Sequence, residues 1–101
     1  MSLALTNAQI RFLRGQAHDL KAILQVGGKG LSDALVAEVG NALDQHELIK
    51  VKVPSDDRDA RDALIADLAV RTGASLVQRI GHTAILFRPN PEKRRIVLPR
   101  G

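Results

Sequence analysis

The chain has 101 residues, a length typical of one domain, and 45% of them are hydrophobic, which is enough for a modest core. It contains no cysteine, which excludes disulfides and thiolate metal sites, and its apolar runs are far shorter than the ~20 residues that span a bilayer. The formal net charge is +4, which by itself favours a polyanionic partner only weakly.

The first predicted element is a helix that begins at Thr6, with Gln9 three residues later in the spacing of a capping box. Apolar residues then recur at helical spacing, at Ile10, Leu13 and Ala17. Basic side chains fall on another face of this helix, at Arg11, Arg14 and His18. Gly15 interrupts the pattern at a cost of ~1 kcal/mol against alanine, so either another element packs closely there or the helix is weak.

Residues 22–26 (AILQV) are a predicted short strand, and the glycine-rich loop 27–30 (GGKG) follows it. Ser32 is a candidate N-cap of a second helix, with Asp33 in the first turn. That helix extends to about His46, and its apolar positions are Leu35, Val36, Val39 and Leu43.

Residues 48–53 (LIKVKV) alternate, so that Lys50 and Lys52 face away from Ile49, Val51 and Val53. We therefore expect one buried sheet face and one that meets solvent or a ligand. Pro54 ends the strand, and Asp56 or Asp57 caps a third helix. The inner face of that helix contains Leu64, Ile65 and Leu68, and Gly73 suits its left-handed C-terminal position.

Residues 75–80 (SLVQRI) and 83–88 (TAILFR) are predicted to form a hairpin around Gly81-His82, and residues 89–101 are a basic tail. The order α-β-α-β-α-β-β, in one domain over 1–101, predicts an α/β (two-layer α+β) fold with a four-stranded mixed sheet. Right-handed crossovers should make strands that are joined by a helix parallel neighbours. The last two strands should pair antiparallel, and the helices should pack mainly on one face.

Charge is segregated along the chain. Residues 32–70 hold nine acidic and four basic side chains, whereas the rest of the chain holds two acidic and eleven basic ones. This distribution indicates either ordinary solubilising charge or a surface for nucleic acid. Phe12 and Phe87 are the only aromatic residues, so an RNA-binding surface here would contact phosphates and shape, with little base stacking.

The glycine loop permits two interpretations. A helix N-terminus offers unpaired N–H groups and partial positive charge, and Gly27, Gly28 and Gly30 would let a phosphate backbone approach, with Lys29 projecting toward it. A plain strand-to-helix turn would also favour glycine. The spacing matches neither a P-loop nor a dinucleotide-binding loop, and the residues alone leave both interpretations open.

No enzyme signature is present in the sequence. The three histidines lack ligand spacing, and arginines interleave with the acids near Asp57 as at a capped helix start, so we expect no catalytic residue, metal, cofactor or small-molecule substrate. The basic side chains, as a set, favour phosphate contacts. The set comprises Arg11, Arg14, Lys21, Lys29, Lys50, Lys52, Arg79, Arg88, Lys93, Arg94 and Arg95. Arg79 could join Lys50 and Lys52 across the sheet if the register allows.

Four blocks in order resemble one known family. The blocks are LRGQAHDLKAILQVGGKGL, HELIKVKV, RTGASLVQRIG and ILFRP, and they resemble the CRM domain (chloroplast RNA splicing and ribosome maturation), in particular its free-standing bacterial YhbY-like form. The resemblance covers about residues 6–100. It implies a core similar to the C-terminal domain of bacterial translation initiation factor three. It also implies a KH-like GxxG loop at Gly27, Gly28, Lys29 and Gly30 that clamps RNA backbone.

The family's bacterial members are linked to precursors of the large ribosomal subunit. The resulting hypothesis is a non-catalytic RNA-binding protein that engages ribosomal RNA during large-subunit assembly, in the cytoplasm and without a membrane segment. The alternative is a protein-interaction module that docks on a ribosome-associated complex through its acidic helices. Phe87 stands where tyrosine is common in the family, and we expect it in the core.

Overall fold

The predicted elements are present in the predicted order. A computed structural model describes residues 5–27, 30–54, 57–92 and 96–98. The elements are α1 (Asn7–Ala17), β1 (Ala22–Gln25), α2 (Asp33–His46), β2 (Leu48–Lys52), α3 (Arg58–Thr72), β3 (Ser75–Ile80) and β4 (Thr83–Phe87). No helix in these described ranges is long and apolar enough to cross a membrane.

Local side-chain chemistry explains where the helices begin and end. The Thr6 hydroxyl accepts from the Gln9 N–H at 3.2 Å while the Thr6 N–H donates to Gln9 Oε1 at 3.1 Å, which confirms the capping box. Ser32 Oγ accepts from the Leu35 N–H at 3.1 Å and so caps α2. At the far end of α3, Gly73 adopts φ 69°, the left-handed conformation that glycine adopts without strain.

Asp57 is the residue that caps α3. Its Oδ1 accepts from the Asp59 N–H at 2.9 Å and from the Ala60 N–H at 3.4 Å. The other predicted candidate, Asp56, lies outside the described residues.

The order of the four strands, β1-β2-β4-β3, corrects one prediction. β1 and β2 are parallel neighbours as expected, and β3 and β4 pair antiparallel. β2 and β3, however, are not neighbours, because β4 lies between them and pairs antiparallel with both. The continuous apolar run of β4 suits this position, because Ala84 and Leu86 are buried on one face of the sheet and Ile85 and Phe87 on the other. The more polar β3 takes the edge.

The sheet separates two apolar cores. On one face, α2 and α3 pack on β2 and β4, and the core there is formed by Val39, Leu43, Ile49, Val51, Ile65, Leu68 and Leu86 among others. On the opposite face, α1 contributes Leu13 and Ala17, which pack with Leu48, Ile85 and Phe87. Two of the three helices therefore share one face, and α1 covers part of the other. Phe87 is fully buried, as expected from the sequence.

The predicted tail is attached to the α1 side of the molecule in its described parts. Glu47 is fully buried at the turn between α2 and β2, and its backbone has φ 62°. Its carboxylate accepts from the Asn90 N–H at 2.6 Å and from the Ile96 N–H at 2.8 Å. Ile96 and Leu98 then pack against the core beneath α1. A buried carboxylate thus holds two points of the tail against the body.

Candidate nucleic-acid interface

The part of the sheet that α1 leaves uncovered forms a cleft with a basic border. Alternation in β2 places Leu48 beneath α1, whereas Lys50 is half-buried and Lys52 is exposed on the same face. Lys50 lies opposite Ile85, and Gln78 lies opposite Ile85 on the other side of β4. These three side chains therefore form one row across the sheet, directly beside α1.

One exposed face of α1 borders the same cleft. Arg11, Arg14 and His18 are three and four residues apart, so they lie on one side of the helix. Arg14 Nε donates to Gln78 Oε1 at 3.0 Å, which joins the helix to the sheet. We call this depression the α1 cleft; its volume is about 500 Å³. It is lined by Arg11, Arg14, Gly15, Ala17, His18, Lys50, Gln78, Ile80 and Ile85.

The cations on this side of the molecule form no ion pair with another described residue. Among the described residues, ion pairs join Arg71 to Asp67, Arg79 to Asp62 and Arg88 to Asp44, and each of them involves an acid on α2 or α3. None of these pairs includes a member of what we call the basic face: Arg11, Arg14, Lys21, Lys50 and Lys52. The paired arginines thus lie with the acids on the α2 and α3 side of the sheet, and the basic face lies on the other side.

The glycine loop lies at the same end of the sheet as Lys52. Gln25 is opposite Lys52, and the Val26 N–H donates to the Lys52 carbonyl at 2.8 Å just before the loop begins. The Gly30 N–H donates to the Gly27 carbonyl at 3.0 Å, so these two described glycines are in contact. Gly30 has φ 78°, so this position requires glycine for a conformational reason. Gly28 and Lys29 lie outside the described residues.

Arg79 does not join Lys50 and Lys52, and that prediction is wrong. It lies opposite Ala84, on the face covered by α2 and α3, where its Nε contacts Asp62 Oδ1 at 2.6 Å. The cause is an irregularity in β3 between Leu76 and Gln78, where one extra residue enters the strand. With regular pairing Arg79 would lie opposite Thr83, the partner of Lys52, but the extra residue reverses which side chains face each side.

Arg88 also lies away from the basic face. Its guanidinium donates to the carbonyl oxygens of Thr72 at 2.6 Å and Gly40 at 2.8 Å, and to Asp44 Oδ1 at 2.6 Å. These three acceptors belong to α2 and α3, so Arg88 joins the two helices where the sequence had suggested a phosphate contact. No local pattern could have revealed this, because all of its side-chain partners are at least 16 residues away.

Lys21, the remaining described cation of the predicted set, borders a second groove. Lys21 and Lys50 line it together with apolar side chains of Leu20, Ile23 and Ile96. Lys93, Arg94 and Arg95 lie outside the described residues, but Ile96 in this groove shows where the chain continues after them.

The histidines and acids form no metal site in the part of the chain that the structure describes, where no group of three such ligands comes together. His82 Nδ1 lies 3.2 Å from Arg61 Nη1 at the β3–β4 turn. Sequence reasoning did not identify Gln78, because the irregularity in β3 conceals which face it occupies.

The fold and the basic face define a class of protein: a small α/β domain whose basic face has no acidic ion-pair partner among the described residues, a charge pattern typical of proteins that bind polyanions. The model of the CRS1 / YhbY (CRM) domain family matches residues 5–88. The chain therefore belongs to the CRM domain family, as the sequence blocks had indicated.

Relatives and a solved structure support the same assignment. An "RNA-binding protein" of Haemophilus influenzae is 45% identical over 95% of this chain and 96% of its own length. The "Probable RNA-binding protein YqeI" of Bacillus subtilis is 38% identical over 94% of this chain and 99% of its own. The solution structure of the hypothetical protein SAV1595 from Staphylococcus aureus is similar with a TM-score of 0.82 and 34% identity, over 95% of this chain and all of that one.

Proposed function

We propose that this protein binds RNA through its basic face and glycine loop, without catalysing a reaction. The observation that carries the proposal is the basic face itself: five cations gather on one side of the fold without acidic partners among the described residues. Placing like charges together is unfavourable in the free protein, and the negative charge of a phosphate backbone would reduce this repulsion. The names of the relatives support RNA as the polyanion.

The proposed contacts are to the RNA backbone. Arg11 and Arg14 of α1 and Lys50 and Lys52 of β2 would neutralise successive phosphates, and Lys21 would extend this surface. Base stacking is a poor option for this chain, because Phe87 is fully buried and Phe12 packs partly buried against the core beneath α1. We therefore expect recognition of backbone and shape, with weak preference among sequences.

The glycine loop would supply a second phosphate contact beside Lys52. In this proposal Gly27, Gly28 and Gly30 admit the backbone, and Lys29 adds charge. Replacing Lys29 with glutamine should then weaken binding to all RNA sequences and lower the salt slope by about 0.7, the value for one phosphate on a single strand. Equal slopes for this variant and the parent would remove the loop from the binding surface.

A charge-matched pair of variants tests the basic face. The double variant Lys50→Gln, Lys52→Gln should lower the slope of log K against log salt by about 1.4 on single-stranded RNA. The control Arg58→Gln, Arg71→Gln removes the same charge from the exposed surface of α3 and should leave the slope nearly unchanged. If the control weakened binding as much as the test variant, net charge would explain the affinity and the basic face would not.

We further propose that the RNA is ribosomal, in cytoplasmic precursors of the large subunit, as the family resemblance implies. Crosslinking in cells, followed by mapping of the crosslinked nucleotides and amino acids, tests this. Crosslinks from the basic face to large-subunit ribosomal RNA support the proposal, whereas crosslinks confined to other RNAs contradict it.

One observation favours a second candidate function, docking on a protein. α2 carries Asp33, Glu38 and Asp44 and no lysine or arginine, so its outer surface is acidic. Treatment of cell extracts with ribonuclease separates the two candidates. Loss of co-sedimentation with ribosomal particles favours RNA binding, whereas persistence favours a protein contact through α2.

A further inference from the structure

Gly15 is a glycine for which the protein provides no internal reason. It lies in the last turn of α1, where glycine is less favourable than alanine by about 0.5–1 kcal/mol. A Cβ built on it meets no atom within 4 Å, so no neighbouring element packs closely there, which rules out one of the two explanations considered from the sequence. Its φ also lies outside the left-handed region.

Gly40 is the other glycine within a helix, and it provides a comparison for Gly15. A Cβ at Gly40 would also meet nothing within 4 Å. There the backbone is reached by a polar group, because Arg88 Nη2 donates to the Gly40 carbonyl at 2.8 Å. Because a Cβ would not touch Arg88, this contact does not require glycine. Gly15 differs from Gly40 in lining the α1 cleft, so a Cβ there would extend into space that a ligand could occupy.

The α1 cleft has the size and chemistry for one unit of a nucleic-acid strand. Its volume of about 500 Å³ lies within the range of small-ligand sites, roughly 300–1,000 Å³. Arg11, Arg14 and Lys50 supply positive charge, and Ile80 and Ile85 supply an apolar floor. Gln78 Oε1 accepts a hydrogen bond from Arg14, so the amide N–H groups of Gln78 can serve as donors for a ligand.

The cleft also continues along the sheet, which indicates a polymer as its occupant. A neighbouring depression shares Lys50, Ile80 and Ile85 and extends to Thr83. Thr83 is paired with Lys52, and Lys52 lies at the end of the sheet where the glycine loop begins. A strand in the cleft could therefore follow a continuous path toward the loop.

We propose that the α1 cleft binds one ribonucleotide unit of the RNA. The cations of the cleft contact the phosphate of this unit, and its sugar lies against the backbone of α1 at Gly15. The proposal rests on the proposed RNA binding. The Gly15 carbonyl accepts from the His18 N–H at 3.3 Å and has a second lone pair, and the C-terminal turn of a helix carries partial negative charge. Both properties suit the O–H of a ribose 2′-hydroxyl as a donor and disfavour a phosphate at the same point. This binding site therefore distinguishes RNA from DNA, because only RNA carries the 2′-hydroxyl.

The test compares Gly15→Ala with the parent on a mixed-sequence single-stranded RNA and on DNA of the same sequence. The parent should bind the RNA more tightly. The variant should have a higher melting temperature, lose about tenfold in RNA affinity, which corresponds to 1.4 kcal/mol, and lose little in DNA affinity. Its salt slope should equal that of the parent, because every cation remains in place. Gly40→Ala is the matched control, since it is also a helical glycine, and it should leave both affinities unchanged.

Several results would contradict a ribonucleotide site in the α1 cleft while leaving the proposed RNA binding intact. These are unchanged RNA affinity in Gly15→Ala, an equal loss for RNA and DNA, a parent that does not distinguish the two strands, or an equal loss in Gly40→Ala. The failure of RNA binding itself has a different signature: the parent would not bind the RNA, or the Lys50→Gln, Lys52→Gln variant would bind it with an unchanged salt slope.

Discussion

Replacing Arg88 with methionine should destabilise the fold and leave RNA binding by the folded protein unaffected. The guanidinium side chain is only 26% exposed and donates to two backbone carbonyls, those of Thr72 and Gly40. Hydrogen bonds from a charged group contribute roughly 1.5–3 kcal/mol each, and methionine cannot replace either. The ion pair adds little, because the Asp44 side chain is 62% exposed and well screened.

Allowing for the side-chain entropy that the substitution releases, we expect a loss of about 2–4 kcal/mol in the free energy of unfolding. For a domain of this size that lowers the melting temperature by on the order of 10–20 °C. Urea denaturation, with RNA affinity measured well below the transition, provides both readouts. Arg71→Met is the control, because its exposed pair with Asp67 should contribute less than about 0.5 kcal/mol.

Two outcomes would refute this explanation of Arg88. One is a stability within about 1 kcal/mol of the Arg71→Met control, which would mean that the carbonyl contacts contribute little. The other is a large loss of RNA affinity at unchanged stability, which would return Arg88 to the binding surface that the sequence had suggested.

Three further changes probe local features of the fold by chemical denaturation. Phe87→Ala should cost about 3–5 kcal/mol, because the ring is fully buried beneath α1, and a cost below about 1 kcal/mol would contradict that placement. Asp57→Ala should cost about 1 kcal/mol by removing the cap of α3, and the reasoning fails if stability is unchanged. Gly73→Ala should destabilise by about 1 kcal/mol or more although a Cβ there meets nothing, because φ is 69°. Gly40→Ala, without that backbone constraint, should stabilise slightly, and equal signs for the two glycines would contradict this account.

The features predicted correctly from the sequence depend on residues that are close along the chain. The capping box at Thr6, the N-cap at Ser32 and the left-handed Gly73 each involve contacts within four or five positions, so local spacing is sufficient to identify them. The alternation of β2 likewise predicted that Lys50 and Lys52 share a face. The family could also be identified from the sequence, because the blocks that resemble it occur in the same order along the chain.

The features that the sequence did not predict depend on pairing between distant residues. Nothing in the sequence of β3 indicates the extra residue that places Arg79 on the side of Asp62. No residue near Arg88 in the sequence indicates that its hydrogen-bond acceptors lie on two helices. The central position of β4 could have been inferred from its unbroken apolar run, but short apolar runs also suit a buried helix segment, so the pattern alone does not decide.

The sequence by itself thus determined the elements, their ends, the family and the excess of positive charge outside residues 32–70. Only the tertiary structure decided which basic side chains of the chain meet acids and which lie on the basic face. The reason is that a charge is neutralised by whatever lies within a few ångströms, and sheet register sets those neighbours. Gly15 illustrates the same division, since the sequence shows a costly glycine and only the fold shows the open cleft beside it.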